Sequence, residues 1–478
     1  EKAVAGASLT YKAYYKKGVA DFAGLGEKIE KAQGQYDEMA AIYTAASLKY
    51  LDDAIKAAQA VAATEGTANE AAVDAVETAI ADLQAAMDRK DVTLVPKDYA
   101  AMNEMLAAYY PMNEESQAKD AAGENDGTVH GDISFTDDGG AAFPGGSSLA
   151  NYISLPNTLK ITDKMTFSFW AYCDNSADTE TTAQHKMHNT FCIGSGKKIG
   201  NNQGTKDAHH FSIYAGQDGA NLTVNGGANG WSGVQGVTVE NYEKQKWSLV
   251  TVVVDGKKAA IYQDGVEKDS GEIGITLTEA WNASPDERYI LLGNNCYAYN
   301  GDWDYKGNIK NLRVYNVPLA GAQVKDIFDH EVQEMLASSA GRLADTIKAQ
   351  PGTGADEGKY TLTITQDTIK LPKAGAQKEA ISWKSYAADG VTESNAVINA
   401  ETGAVTVPEP GAAGVTAVLK ATITISGVEK EVWVICDVKN PINKESTAAL
   451  KDEAKAAMEG KDKADYDEAV WNERLAAI

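Results

Sequence analysis

The spacing of apolar residues changes period several times along this chain, and no single fold accommodates both periods. Val73, Val76, Ile80, Leu83 and Met87 recur at steps of three and four, the stripe of one helix face. Leu48, Leu51, Ile55 and Ala58 repeat that pattern one helix earlier, and Leu25, Ile29, Ala32 and Tyr36 one before that. Thr67 and Asn69 supply caps ahead of the third stripe, and Glu70 an acidic first turn. Three short Ala-rich amphipathic helices of this kind close into a small bundle. After Lys90 the period falls to two. Met165, Phe167, Phe169, Ala171 and Cys173 alternate with Thr166, Ser168, Trp170 and Tyr172, so one side of a strand there faces a core. Asp255-Gly256 and Asp264-Gly265 punctuate further strands as tight hairpin turns. Many such strands predict an all-β jelly-roll sandwich over residues 93–320. A helical stretch from Ala320 to about Lys348 follows and reads as a linker, residues 321–349. Period two then returns in Val415, Ala417, Leu419, Ala421, Ile423 and Ile425, and residues 350–440 have the size of a small immunoglobulin-like β-sandwich. Residues 441–478 return to Ala, Glu and Lys in helical order, as the start of a second helical module.

The chain of 478 residues carries 44 Lys and Arg against 68 Asp and Glu, a formal charge of −24. That excess excludes duplex nucleic acid as a natural partner, since such affinity rests on neutralising phosphates. No apolar run approaches the roughly 20 residues that span a bilayer. The first residues, EKAVAGASLTYK, lack the apolar stretch of a secretory signal, so the expectation is a piece of a longer chain. Four cysteines make no disulfide framework and no CxxC pair suggests zinc; Cys173 and Cys192, in neighbouring strand-like runs, are left as either a bridge or buried thiols.

The densest candidate site is the stretch NNCYAYNGDWDYK. It places Tyr297, Tyr299, Trp303 and Tyr305 among Asn294, Asn295, Asp302 and Asp304. Sugars present apolar C–H faces and a rim of hydroxyls, so a saccharide binder needs flat rings beside amide or carboxylate acceptors. Trp231 and Trp281 are further candidate platforms, or lids over the core. Asp120, with Asn125 and Asp126 behind it, has the oxygen-rich, Gly-broken form that suits calcium, or an Asx turn closed by its own side chains. Glu267, Asp269 and Glu272 fit a literal E-x-D-x-x-E spacing, but Lys268, Ser270 and Gly271 between them argue against a rigid, desolvated acid pair. His185, His188, His209 and His210 show no convergent metal spacing. GSGKK at Gly194 lacks a complete phosphate loop.

Tyr43-Thr44-Ala45-Ala46-Ser47 and NEAAVDAVETAIADL resemble the FIVAR helical modules of bacterial surface proteins and extracellular glycosidases over residues 1–92, with Leu48 where Trp is frequent. LAAYYPMNE, DAAGENDGTVHGD, WSLVTVVVDGKKAAIYQDGV and YKGNIKNLRVYNVPL resemble, in order, the strands of laminin-G-like, concanavalin-type jelly rolls. That resemblance implies a structural calcium at Asp120, with Asn125 and Asn311 as further candidate ligands; members of the family often carry Asp where Asn311 or Lys310 stands. ISWKS, NAETGAVTVPEPG and LKATITISGVEKEVWVICDVK resemble atrophied bacterial immunoglobulin-like domains that flank catalytic modules. Taken together, the resemblances imply an extracellular bacterial setting, secreted or attached to the cell wall. The expected role is a non-catalytic carbohydrate-binding and spacer region of a large glycoside hydrolase, with polysaccharide or glycoprotein glycans as partners and a catalytic domain elsewhere in the parent chain. The alternative is a structural or adhesive segment binding a host protein or cell-wall component.

Overall fold

The computed structural model describes residues 20–65, 70–92, 94–146, 150–174, 189–196, 209–217, 221–228, 233–295, 304–410, 412–440, 448, 451–456 and 472. The helical stripes at the start become α1 (Phe22–Ala40), α2 (Ala45–Ala62) and α3 (Glu70–Met87). Asp21 and Thr44 cap the first two by accepting from Gly24 N and Ser47 N. Leu25, Ala32, Leu51, Ile55, Ala58, Val76, Leu83 and Met87 meet in one core, which is where the spacing put them. A short α4 (Tyr99–Asn103) leads into the β region.

Two antiparallel sheets face each other there. The eight-stranded sheet runs β13 (Val266–Glu272), β12 (Lys258–Gln263), β11 (Trp247–Asp255), β6 (Lys164–Cys173), β15 (Asp304–Tyr315), β4 (Gly140–Gly146), β3 (Ser134–Thr136), with β1 (Leu106–Tyr110) also on β15. The seven-stranded sheet runs β10 (Gln235–Val239), β9 (Asn221–Gly227), β8 (His209–Gln217), β7 (Phe191–Ser195), β14 (Arg288–Leu292), β5 (Tyr152–Leu155), β2 (Thr128–His130). Between them lies a core that includes Phe167, Phe191 and Phe211, with ring centroids 4.9 and 5.9 Å apart. A short α5 (Leu277–Asn282), closed by a Thr276–Glu279 capping box, plugs one end. Cys173 points into this core, whereas Cys192 lies with Leu291 on the other face of its sheet beside Tyr152 and Tyr289. The two thiols therefore point apart and form no bridge.

The strand β6 is buried on both faces, which alternation alone did not predict. Its second face is covered by α6 (Gly321–Ile347), whose buried side includes Val324, Ile327, Phe328, Glu331, Val332, Met335 and Leu336. A third, five-stranded sheet packs on the same helix: β16 (Gln350–Pro351), β17 (Tyr360–Ile364), β20 (Val428–Val438), β19 (Val415–Ile425), β18 (Ala380–Tyr386), with β17 parallel to β20. Trp170, Trp247, Tyr262, Phe328, Leu336, Leu419 and Val434 share one continuous cluster. The helix is thus the filling of a joint, not a bare connection.

Charge fixes that joint. A register shift in β15, with Asn311 at φ 53°, swings Asn311 and Arg313 toward α6. Glu331 receives Arg313 Nη1 at 2.5 Å, Trp170 Nε1 at 2.9 Å and Asn311 Nδ2 at 2.9 Å. Arg313 Nη2 donates to the Tyr99 hydroxyl at 2.8 Å, and its guanidinium lies 4.4 Å from the Tyr109 ring centroid. Such a buried pair is tolerated because Glu331 receives three donors and both Arg313 Nη groups are hydrogen-bonded, with only Nε left without a partner among the described residues.

Candidate functional site

The outer face of the seven-stranded sheet is the face that α6 and the third sheet do not cover. On β5, alternation sends Ile153 and Leu155 into the core and Tyr152 and Ser154 outward. The neighbouring strand β2 sets His130 opposite Tyr152. Their rings stack at 4.2 Å with 18° between planes, and His130 Nε2 lies 2.9 Å from Ser154 Oγ. Tyr289 and Leu291 continue the surface on β14. Together these side chains line an open cleft of about 350 Å³. Burial lowers the His130 pKa, so the imidazole is neutral at neutral pH, and burial with the Asp304 charge nearby raises that of Tyr152. Arg288 borders the cleft, but its guanidinium binds the Trp281 carbonyl (Nε, 3.0 Å) and Asn282 Oδ1 (2.7 Å). Among the described residues, no carboxylate lines the cleft. The arrangement offers half-exposed rings, a hydroxyl and an imidazole: stacking and neutral hydrogen bonding.

Asp304 builds the edge of this face. Its fully buried carboxylate accepts from Ala150 N (3.2 Å), Asn151 N (3.0 Å) and Asn151 Nδ2 (3.1 Å) on Oδ2, and from Asn294 Nδ2 (2.9 Å) on Oδ1. Tyr305 N reaches Gly293 O at 2.8 Å. Residues 293–294 and 304–305, which flank the aromatic stretch in sequence, are thereby clamped together beside Tyr152.

This changes the assignments made from composition. Asn294, Asn295 and Asp304 are no more than 2% exposed, so they build the base of the loop instead of offering acceptors to a sugar. Tyr305 is wholly buried in the sandwich core, with its ring edge-on to Phe143 at 5.9 Å, because β15 already begins at Asp304 and turns residue 305 inward. Trp281, on α5, is a lid over the sandwich end beneath Arg288, 5.2 Å from its ring. Tyr297, Tyr299, Asp302, Trp303 and Trp231 lie outside the described residues, as do His185 and His188. His210 is buried on β8, with its pKa lowered to about 4 by desolvation. Glu267, Asp269 and Glu272 sit on the exposed edge strand β13, where Glu267 accepts from the Tyr262 hydroxyl at 3.0 Å.

The residues proposed for calcium do not suit a cation. Asp120 Oδ1 accepts from Tyr109 N (2.9 Å) and Ala122 N (3.0 Å), and Oδ2 from Asn125 N (3.1 Å) and Asn125 Nδ2 (3.2 Å). Four N–H groups converge where an ion would need oxygens. Asn125 Oδ1 faces Thr158, and Asn311 is directed to Glu331. This is the Asx-type turn, closed by its own side chains.

Sequence reasoning missed the His130–Tyr152–Ser154 cleft. The i, i+2 pair Tyr152 and Ser154 marks one strand face, but the pairing that brings His130 to it belongs to the fold.

Residues 145–325 match the family model described as the Concanavalin A-like lectin/glucanases superfamily, and this segment has that lectin/glucanase fold. Among solved structures, the chain is similar to domain 4 of AbnA, a GH43 extracellular arabinanase from Geobacillus stearothermophilus in complex with arabinotriose, at 24% identity over 46% of this chain and 97% of that one, with a TM-score of 0.35. It is also similar to the Ruminococcus gnavus IT-sialidase CBM40 bound to α2,3-sialyllactose, at 14% identity over 36% and 85%, with a TM-score of 0.27. Trypanosoma rangeli sialidase in complex with sialic acid matches at 11% identity over 47% and 33%, with a TM-score of 0.34. No curated protein matches the chain.

Proposed function

We propose that this chain is the non-catalytic, carbohydrate-binding and spacer part of a larger secreted or cell-surface bacterial glycoside hydrolase. The jelly roll binds glycan, while a FIVAR-like bundle and an immunoglobulin-like module carry it. The observation that supports this reading best is the neutral His130–Tyr152 stack with Ser154, set in an open cleft on the outer face of the seven-stranded sheet beside the clamped residues Asn294 and Asp304. Rings of this kind stack on the C–H faces of sugars, and hydroxyls bond at their rim. Tethering such weak contacts to a catalytic domain raises its effective substrate concentration. The lack of a paired carboxylate in the described cleft favours binding over hydrolysis.

A glycan array that includes arabino-oligosaccharides and sialylated glycans tests the proposal. Tyr152→Ala and Trp303→Ala are each expected to weaken any signal about two- to tenfold, the scale of one lost stacking contact. Silence of the intact chain on every glycan contradicts binding. It would favour the second reading, a structural or adhesive segment, for which the buried Arg313–Glu331 joint between the jelly roll and α6 is the supporting observation.

A further inference from the structure

We propose that Lys310 and Gln377 become joined by an isopeptide bond, a covalent weld between the jelly roll and the segment that precedes β18 in the third-sheet module. Lys310, on β15, is 5% exposed and Gln377 is 3% exposed, so both ends sit in the joint away from water. Lys310 Nζ lies 2.5 Å from Gln377 Oε1 and also donates to the Asp138 carbonyl at 3.1 Å. Since a C=O bond is about 1.23 Å, Gln377 Cδ is at most about 3.7 Å from Nζ, close to attack distance. The amide is held for that approach: its Nε2 donates to Ser339 Oγ at 3.0 Å and Met335 O at 3.4 Å, and its oxygen is polarised by Nζ. The Trp247 ring, 4.6 Å from Nζ, closes one wall and donates its own Nε1–H to Gln377 O at 2.6 Å.

Two further conditions are met. Desolvation favours the neutral, nucleophilic amine, lowering the Lys310 pKa to about 8. Glu379, two residues beyond Gln377 and 5% exposed, has a buried Oε2 with no hydrogen-bond partner among the described residues, and its charge acts on Lys310. A buried carboxylate oxygen without a donor is costly, and a part in proton transfer accounts for it.

The chemistry balances without a co-reactant. The neutral Nζ attacks Cδ and forms the new C–N bond. Glu379, which makes no hydrogen bond to Nζ in the resting structure, turns its side chain to take the proton from Nζ and returns it to Nε2, the Cδ–Nε2 bond breaks, and ammonia leaves. Nothing is oxidised or reduced. Burial then shields the product amide from hydrolysis. The gain is mechanical: the covalent link crosses the α6 joint, where a carrier of a surface-displayed binding module bears load.

Mass spectrometry of the intact full chain is the test. The mass is expected to fall below that of the sequence by one molecule of ammonia, with the tryptic peptides of Lys310 and Gln377 recovered as one branched species. Recovery of the two peptides separately, with trypsin cutting after Lys310, overturns the proposal, and this result needs no variant. Lys310→Met and Gln377→Leu are expected to abolish the branched peptide. Glu379→Gln is expected to slow linkage roughly a hundredfold, the scale of a lost general base; linkage at the wild-type rate overturns the role given to Glu379.

Discussion

Removing Glu331 strikes the joint where three donors depend on one carboxylate. Glu331→Ala strands Arg313, 4% exposed, and leaves Trp170 Nε1 and Asn311 Nδ2 without their acceptor. Breaking a buried ion pair from one side costs about 3–5 kcal/mol. Each orphaned neutral donor adds about 1 kcal/mol or more, partly offset when water enters the vacated space. The expected loss is therefore about 4 kcal/mol, a large share of the roughly 5–15 kcal/mol that holds an ordinary domain. Urea unfolding followed by tryptophan fluorescence reads this directly, because Trp170 and Trp247 lie in the joint. The pair replacement Arg313→Met with Glu331→Leu is expected to cost only about 2 kcal/mol, the share of the orphaned Trp170 and Asn311 donors, since no charge is then stranded. A loss below about 1 kcal/mol in Glu331→Ala, or a pair replacement as damaged as the single one, would refute the reasoning.

Further outcomes follow from other sites. Burial pushes the Asp264 carboxyl up to about 6, from 3.8. The folded chain holds this proton more tightly than the unfolded one, so the group adds stability below about pH 4 that is lost as pH rises through about 6, of order 2 kcal/mol. Asp264→Asn should flatten that part of the Tm-versus-pH curve, and an unchanged slope contradicts the assignment. Gly307 has φ +149°, and a Cβ there would stand 2.1 Å from the Tyr172 carbonyl oxygen, so Gly307→Ala should cost about 3 kcal/mol or more in a thermal or urea melt. Neither EDTA nor millimolar calcium should move the jelly-roll Tm by more than about 1 °C, because a cation that bound only the folded form would raise it through mass action.

The helical stripes were sufficient to locate the first bundle, because each of its helices buries a single face against local neighbours. The inward residues of β6 were equally readable, but its other face was not. The partners that bury Trp170 lie on α6, with Glu331 161 residues away in sequence, and no local period encodes a cover that distant. The aromatic loop misled for a related reason. Tyr305 and Ile309 share the parity of core residues, yet the register shift between Lys310 and Arg313 moves Leu312 and Val314 to the other parity and hides the strand inside a run of acids and tyrosines. Asp304 reads as a solvent-facing acceptor by composition. Four backbone and side-chain amides make it a buried clamp instead. The His130–Tyr152 pair needed the β2–β5 pairing, which is a fact of topology.

Hydrogen–deuterium exchange of the intact chain with and without a bound oligosaccharide bears most directly on the proposed binding face. Protection is predicted over 128–130, 152–155 and 289–292, the three strands that form the His130–Tyr152 cleft, with the α6 joint unchanged. Saturating ligand that protects only the eight-stranded side, or the third sheet, would contradict it.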